Sequence, residues 1–336
     1  MTPELAWALL QFAIASGLIL WSGTRLARYG DVIAARTGLG ATWTGLVVVA
    51  AVTSLPELIT GASSILLFSV PDVAAGDAIG SCMFNLLILA FLDFRNPAPL
   101  AAMIHRGHVL SAAFGLLLLG LAALSMLAGP HVPRLGWIGV QSLVFLGVYL
   151  FATRTIFVFE RRRVRELAEE IAGEDREPGM TLRTAVIRYV GAAVIMVAAA
   201  AYLPGVAVRL AEATGLGQTF VGSLFVAAST SMPEIVVSVA AARMGAIDLA
   251  AANLFGSNLF NIAVLGIDDI LYLDGVLVTA IEPIHLITLV SAMTMTAIAV
   301  IGLTYRAQRK RFRLSYDALA ILGVYLLATL LLWRVS

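Results

Sequence analysis

Apolar residues in this chain gather into long runs, broken at intervals by charged or Gly/Pro-rich segments. A helix of ~20 apolar residues spans the hydrocarbon core of a bilayer. Ten runs meet that length approximately: Leu5–Thr24, Gly40–Phe68, Val73–Leu92, His108–Leu127, Gly136–Phe159, Ala185–Leu210, Phe220–Arg243, Leu249–Tyr272, Ile284–Tyr305 and Tyr316–Trp333. Each reads as a membrane helix, which predicts an all-α polytopic membrane protein. The one long polar stretch, Glu160 to Gly179, opens on Glu160-Arg161-Arg162-Arg163 and closes on Pro178-Gly179. It predicts a charged cytoplasmic linker over 160–182, between five spans in 1–159 and five in 183–336.

Composition agrees with that pattern. Of 336 residues, 60% are hydrophobic and 13% charged, where a soluble domain carries roughly 25% charged residues. A net charge of +1 gives no case for nucleic-acid binding, and the single cysteine, Cys82, rules out an internal disulfide. Met1 to Trp7 has no basic segment ahead of its apolar run, so it is expected to enter the first membrane helix and not a cleaved leader. With the N-terminus outside, 19 basic residues fall in cytoplasmic segments and only Arg134, Arg209 and Arg334 outside. The positive-inside rule then places both termini on the extracytoplasmic side.

The two halves repeat each other. Thr53, Ser54, Pro56 and Glu57 recur as Thr230, Ser231, Pro233 and Glu234, a shift of 177 positions. Asp72, Gly80, Ser81, Phe84, Asn85 and Asp93 recur as Asp248, Gly256, Ser257, Phe260, Asn261 and Asp269, a shift of 176. A unit of five spans is odd, so its second copy enters the membrane from the opposite side. The expected fold is ten transmembrane helices as two inverted five-helix repeats, an architecture in which substrate sites lie between the repeats near the midplane.

Within the apolar runs, Glu57 and Glu234 are the costly residues, because an intramembrane carboxylate without a basic partner marks an ion pathway by default. Pro56 and Pro233 have no amide hydrogen, so each breaks its helix and frees carbonyls beside the glutamate. Carbonyls, the Thr53, Ser54, Thr230 and Ser231 hydroxyls and two carboxylates make an all-oxygen surface suited to hard cations. Asp77, Ser81 and Asn85 share one helix face, as do Asn253, Ser257 and Asn261. Gly76, Gly80 and Gly256 are expected to admit close helix packing. Asp93, Asp268 and Asp269, near helix ends, are expected at the interface with structural or gating roles. The four histidines lie outside the repeated blocks without ligand spacing, which predicts surface or interface positions, and Cys82 is expected to pack.

The repeated blocks, Val52-Thr53-Ser54-Leu55-Pro56-Glu57 with Gly76 to Asn85, and Ser229 to Glu234 with Ala252 to Asn261, resemble the α-repeats of the cation/Ca²⁺ antiporter superfamily, typified by sodium/calcium exchangers. The resemblance implies that Glu57 and Glu234 are paired acidic ligands of a Ca²⁺ site. Thr53, Thr230 and the carbonyls of Ala50 and Ala227 would complete the coordination. Ser54, Ser231, Ser81 and Ser257 would line sodium sites, with Asn85 and Asn261 at the middle and the first and sixth spans sliding to switch access. Two positions depart from the pattern: Asn261 stands where sodium/calcium exchangers usually have aspartate, and Asp77 where the family usually has asparagine. The expected function is Na⁺/Ca²⁺ antiport in a prokaryotic inner membrane, without a cofactor and without enzymatic activity. The alternatives are a cation/proton antiporter in which Glu57 or Glu234 titrates, and a cation channel. The glutamates found at Gly80 and Gly256 in proton-coupled relatives are missing here, which favours sodium.

Overall fold

The computed structural model describes residues 3–37, 53–172, 180–243, 245–307, 309–310 and 313–335. They are mostly helical. The principal helices are α1 (Pro3–Thr37), α2 (Leu55–Ser63), α3 (Pro71–Arg95), α4 (His108–Ala128), α5 (Val140–Ala172), α6 (Leu182–Thr214), α7 (Met232–Arg243), α8 (Ile247–Leu271), α9 (His285–Tyr305) and α10 (Tyr316–Val335). Among the described residues, eight helices are long and apolar enough to cross a membrane. The bent pair Gln218–Thr230 and Met232–Arg243, which meet at 44°, makes a ninth if it counts as one span. The second expected span is described only from Thr53, so Ala50 lies outside the described residues. Its described part is α2, extended by a π-helical turn at Ser64–Phe68.

Two other boundaries differ from the apolar pattern. The fifth run opens on a two-residue hairpin, Arg134–Leu135 against Ile138–Gly139, turned at Gly136 with φ +66. Its helix then passes the expected end at Phe159 and continues through the charged stretch to Ala172. Charge alone does not end a helix that has left the hydrocarbon, because Glu, Arg and Ala are good helix formers.

Proline sets the breaks. Ser54 (φ −91, ψ 10) and Ser231 (φ −81, ψ 7) leave helical geometry two residues before Pro56 and Pro233. Proline cannot donate to the preceding turn, and its ring crowds the carbonyl four residues back. In α3, Pro71 occupies the first turn, where a missing amide hydrogen costs nothing, and Asp72 there complements the helix dipole.

The helices α3 and α8 form the centre. Their apolar stretches are 83% and 78% buried, against 28% for α1, 17% for α5 and 22% for α10. The peripheral helices instead expose large apolar side chains such as Trp7, Ile14, Leu150, Phe151 and Leu326, as a lipid-facing surface requires. The main core joins α3, α4, α8, α9 and α10. A second core joins α1 and α6 through Ala8, Ala15, Ile19, Ala200, Leu203 and Ala207, and it also takes in Val73 of α3 with Val221 and Val226. Where α1 crosses α7, Gly23 lies so close that a Cβ there would come within 2.6 Å of Pro233 Cγ.

Candidate functional site

At the two proline breaks the halves bond to each other. Ser231 Oγ donates to Glu57 Oε1 at 3.1 Å, and Ser54 Oγ donates to Glu234 Oε1 at 3.0 Å. Ser257 Oγ also donates to Glu234 Oε1 at 3.3 Å and lies 3.1 Å from Ser54 Oγ. Each glutamate is thus held by the hydroxyl of the opposite half. All four residues are at most 1% exposed.

A second pair of contacts flanks the first. Thr230 Oγ1 donates to Asp77 Oδ1 at 2.7 Å and lies 3.4 Å from Ser81 Oγ, while Thr53 Oγ1 reaches Asn253 Oδ1 at 3.4 Å. The Asn253 amide goes on to Ser238 Oγ at 3.2 Å. Asn85 joins through Asn258, whose Oδ1 accepts from Asn85 Nδ2 at 2.9 Å and whose own amide donates to the Cys82 carbonyl at 3.2 Å. Cys82 packs at 0% exposure, as expected.

Five acceptor atoms in this buried region have no hydrogen-bond partner: Glu57 Oε2, Asp77 Oδ2, Glu234 Oε2, Asn85 Oδ1 and Asn261 Oδ1. Asn261 Nδ2 is likewise unpartnered, so this side chain touches none of the other expected site residues through a hydrogen bond. Buried polar atoms are nearly always paired, and an unpaired one costs roughly 1–3 kcal/mol, more when charged. Among the described residues no three His, Cys, Asp or Glu side chains converge closely enough to hold a metal by themselves. Any ion here therefore draws on hydroxyl and amide oxygens as well as carboxylates. The Ala227 carbonyl accepts from Ser231 N at 3.0 Å, and Thr230 Oγ1 lies 3.2 Å from it while giving its single proton to Asp77.

Close packing supports one side of this region. A Cβ on Gly80 would come within 2.7 Å of Ser223 Cα, and one on Gly76 within 2.9 Å of Ser223 N. Gly256 differs from its expectation, since nothing lies within 4 Å of a Cβ there.

Several polar residues lie elsewhere than their sequence context predicts. His108 and His285 are 3% and 0% exposed, and they correspond by the same shift of 177 positions as the Thr-Ser-x-Pro-Glu blocks. Each pairs with an aspartate of the opposite half: His108 Nε2 is 3.5 Å from Asp248 Oδ1, and His285 Nε2 is 3.1 Å from Asp72 Oδ1. The repeat spacing was the available signal. Asp93 and Asp269 are buried caps. Asp93 accepts from Leu100 N at 2.7 Å and Ser315 N at 2.8 Å and pairs with Lys310, while Asp269 accepts from Gly139 N, Ser142 Oγ and Leu277 N at 2.9, 2.6 and 2.6 Å. Asp268 is fully buried.

The model of the sodium/calcium exchanger protein family matches residues 7–158 and 184–334. A putative antiporter, CaxA of Alkalimonas amylolytica, is 29% identical over 259 residues, covering 76% of this chain and 77% of that protein. The fold is similar to the crystal structure of the H⁺/Ca²⁺ exchanger CAX (TM-score 0.71, 15% identity, 98% of this chain and 86% of that one). It is also similar to the sodium-calcium exchanger NCX_Mj (TM-score 0.59, 22% identity, 98% of each chain). These are families and folds of transporters, not of enzymes. The chain belongs to the sodium/calcium exchanger protein family and is a multi-pass membrane protein of the cation/Ca²⁺ antiporter superfamily.

Proposed function

We propose that this cation/Ca²⁺ antiporter exchanges Na⁺ for Ca²⁺, or a related divalent cation, by alternating access. The observation that carries this reading is the set of five unpartnered acceptor atoms on Glu57, Asp77, Glu234, Asn85 and Asn261. Such a surplus of buried oxygen is what a hard cation neutralises, and Ca²⁺ accepts six to eight oxygens in loose geometry. In this reading Glu57 and Glu234 are the paired acidic ligands, with Thr53, Thr230 and the carbonyls of Ala50 and Ala227 completing the shell. The Ala227 carbonyl joins through the lone pair that its bond from Ser231 N leaves free. Ser54, Ser231, Ser81 and Ser257 line the sodium positions, Asn85 and Asn261 sit between them, and Asp77 supplies the charge that Asn261 lacks.

Ten helices then form two inverted five-helix repeats, 1–159 and 183–336, joined by a cytoplasmic linker over 160–182, with both termini extracytoplasmic and the chain in a prokaryotic inner membrane. The pair α1–α6 slides against the remaining bundle. Sodium is favoured over the proton because Gly80, pressed on the Ser223 backbone, leaves no room for a titrating glutamate. The test is Ca²⁺ uptake into reconstituted vesicles under an imposed Na⁺ gradient or an imposed pH gradient. Uptake driven by sodium is expected, and uptake driven by the pH gradient alone overturns sodium coupling.

A further inference from the structure

Asp268 lies one turn from the end of α8 and is 0% exposed, and neither of its carboxyl oxygens has a hydrogen-bond partner. It faces α2, where a Cβ on Gly61 would fall 2.6 Å from Asp268 Oδ1. The neighbouring Asp269 has three donors; Asp268 has none. The corresponding position in the first half is Leu92, so no repeat-wide packing rule calls for an acid here.

Its place relative to the cage follows from helix geometry. Asp268 is seven residues beyond Asn261 on α8, hence about 10 Å further along and within ~20° of the same face. Gly61 is one turn beyond Glu57 on α2. The two helices touch first at Ser54 and Ser257, 3.1 Å apart, and again at Gly61 and Asp268. In sequence, the unpartnered atoms of Glu57 and Asn261 fall between those two contacts on both helices. Asp268 is therefore the next buried acid between the cage and the face of the bundle where α8 ends.

An isolated ionised carboxylate in such a place is the costliest form the group can take, and neutralising it removes most of that cost. A metal ion needs several oxygens, and among the described residues Asp268 belongs to no cluster of three His, Cys, Asp or Glu that could hold one, whereas a proton needs a single oxygen. Of the helices packed on α8, α2 carries Glu57, α3 carries Asp72, Asp77, Cys82, Asp93 and Arg95, α4 carries His108, α5 carries Tyr149 and Arg154 among its described side chains, and α7 carries Glu234 and Arg243; none bonds Asp268. We infer that Asp268 is a proton-binding site on the exit side of the ion cage, protonated while the site is closed and exchanging its proton with the face where α8 ends. The inference rests on the antiport reading only for its effect on flux.

The test uses the full chain in vesicles, as wild type, Asp268→Asn and Asp268→Leu, the last copying the first half. Infrared spectra are expected to show a protonated carboxylic C=O band in wild type that both variants lose. The dependence of Ca²⁺ uptake on pH at the α8 exit face is expected to fall from about tenfold across a few pH units to under about twofold. Wild type without the band, or variants that keep it, overturns the site; loss of the band with an unchanged pH profile overturns its part in transport. If one variant fails to insert, the other decides. Wild type that carries no Ca²⁺ under any gradient overturns the antiport reading, and the infrared result still decides the proton site.

Discussion

Thr230 donates to Asp77 at 2.7 Å, while Thr53, the matching residue of the first half, reaches Asn253 at 3.4 Å. The positions correspond, yet one contact ends on a carboxylate and the other on an amide. Bonds to ionised acceptors are shorter and about twice as strong as neutral ones. Asp77 keeps a second oxygen unpartnered, whereas Asn253 commits its amide to Ser238. By contrast, the serine–glutamate contacts of the two halves are nearly equal, at 3.1 and 3.0 Å. The frame of the site is thus two-sided, and its charge is not.

The strongest way to break this comparison is at the equal contacts. Glu57→Gln and Glu234→Gln should each lower Ca²⁺ uptake by about a hundredfold or more without preventing membrane insertion, because a neutral amide cannot replace a buried ligand charge. Wild-type flux in either variant removes the two-sided centre. Packing offers the next contrast. Gly80→Ala meets the Ser223 backbone and should cost about 1–3 kcal/mol, seen as a lower thermal midpoint in detergent, while Gly256→Ala meets open space and should leave the midpoint near wild type. Equal midpoints for the two variants would contradict the asymmetric packing.

The unequal contacts give a smaller effect. Asp77→Asn makes the halves alike and should shift half-saturating Na⁺ by about tenfold, roughly 1.4 kcal/mol, with a lesser change in Ca²⁺ affinity. Identical sodium titrations would deny Asp77 an ionic role. Smallest of all, Ser54→Ala and Ser231→Ala each remove one donor to a glutamate that the cation also satisfies. Each should weaken Ca²⁺ binding by only about fivefold, and by similar amounts, a loss near 1 kcal/mol measured by uptake at graded Ca²⁺.

Much of this was legible in the sequence for a physical reason: a glutamate beside a proline in an apolar run is expensive, and the chain contains that arrangement twice. The same reasoning identified the polar stripes on α3 and α8, which the structure brings against the proline breaks. It failed where burial comes from distant chain. Asp268 is close to a helix end, yet α2 covers it. His108 and Asp248 are 140 residues apart, and no local spacing connects them. Asn258 follows Ser257 in the repeated block, but nothing in a linear pattern says that it turns to Asn85 and the Cys82 carbonyl. The π-helical turns at Ser64–Phe68 and Val221–Val226 leave no compositional trace either.

The contact of Gly23 with Pro233 carries a mechanical consequence. Two helices that slide past each other move between packed arrangements about one turn apart, near 5.4 Å, and not continuously. At the crossing, the rigid proline ring rests where α1 has no side chain. One turn back along α1 stands Ile19, and one turn forward the sequence gives Ala27. A step that brings Ile19 under the ring drives a branched side chain into it. If α1 slides as proposed, the crossing acts as a stop against travel in that direction.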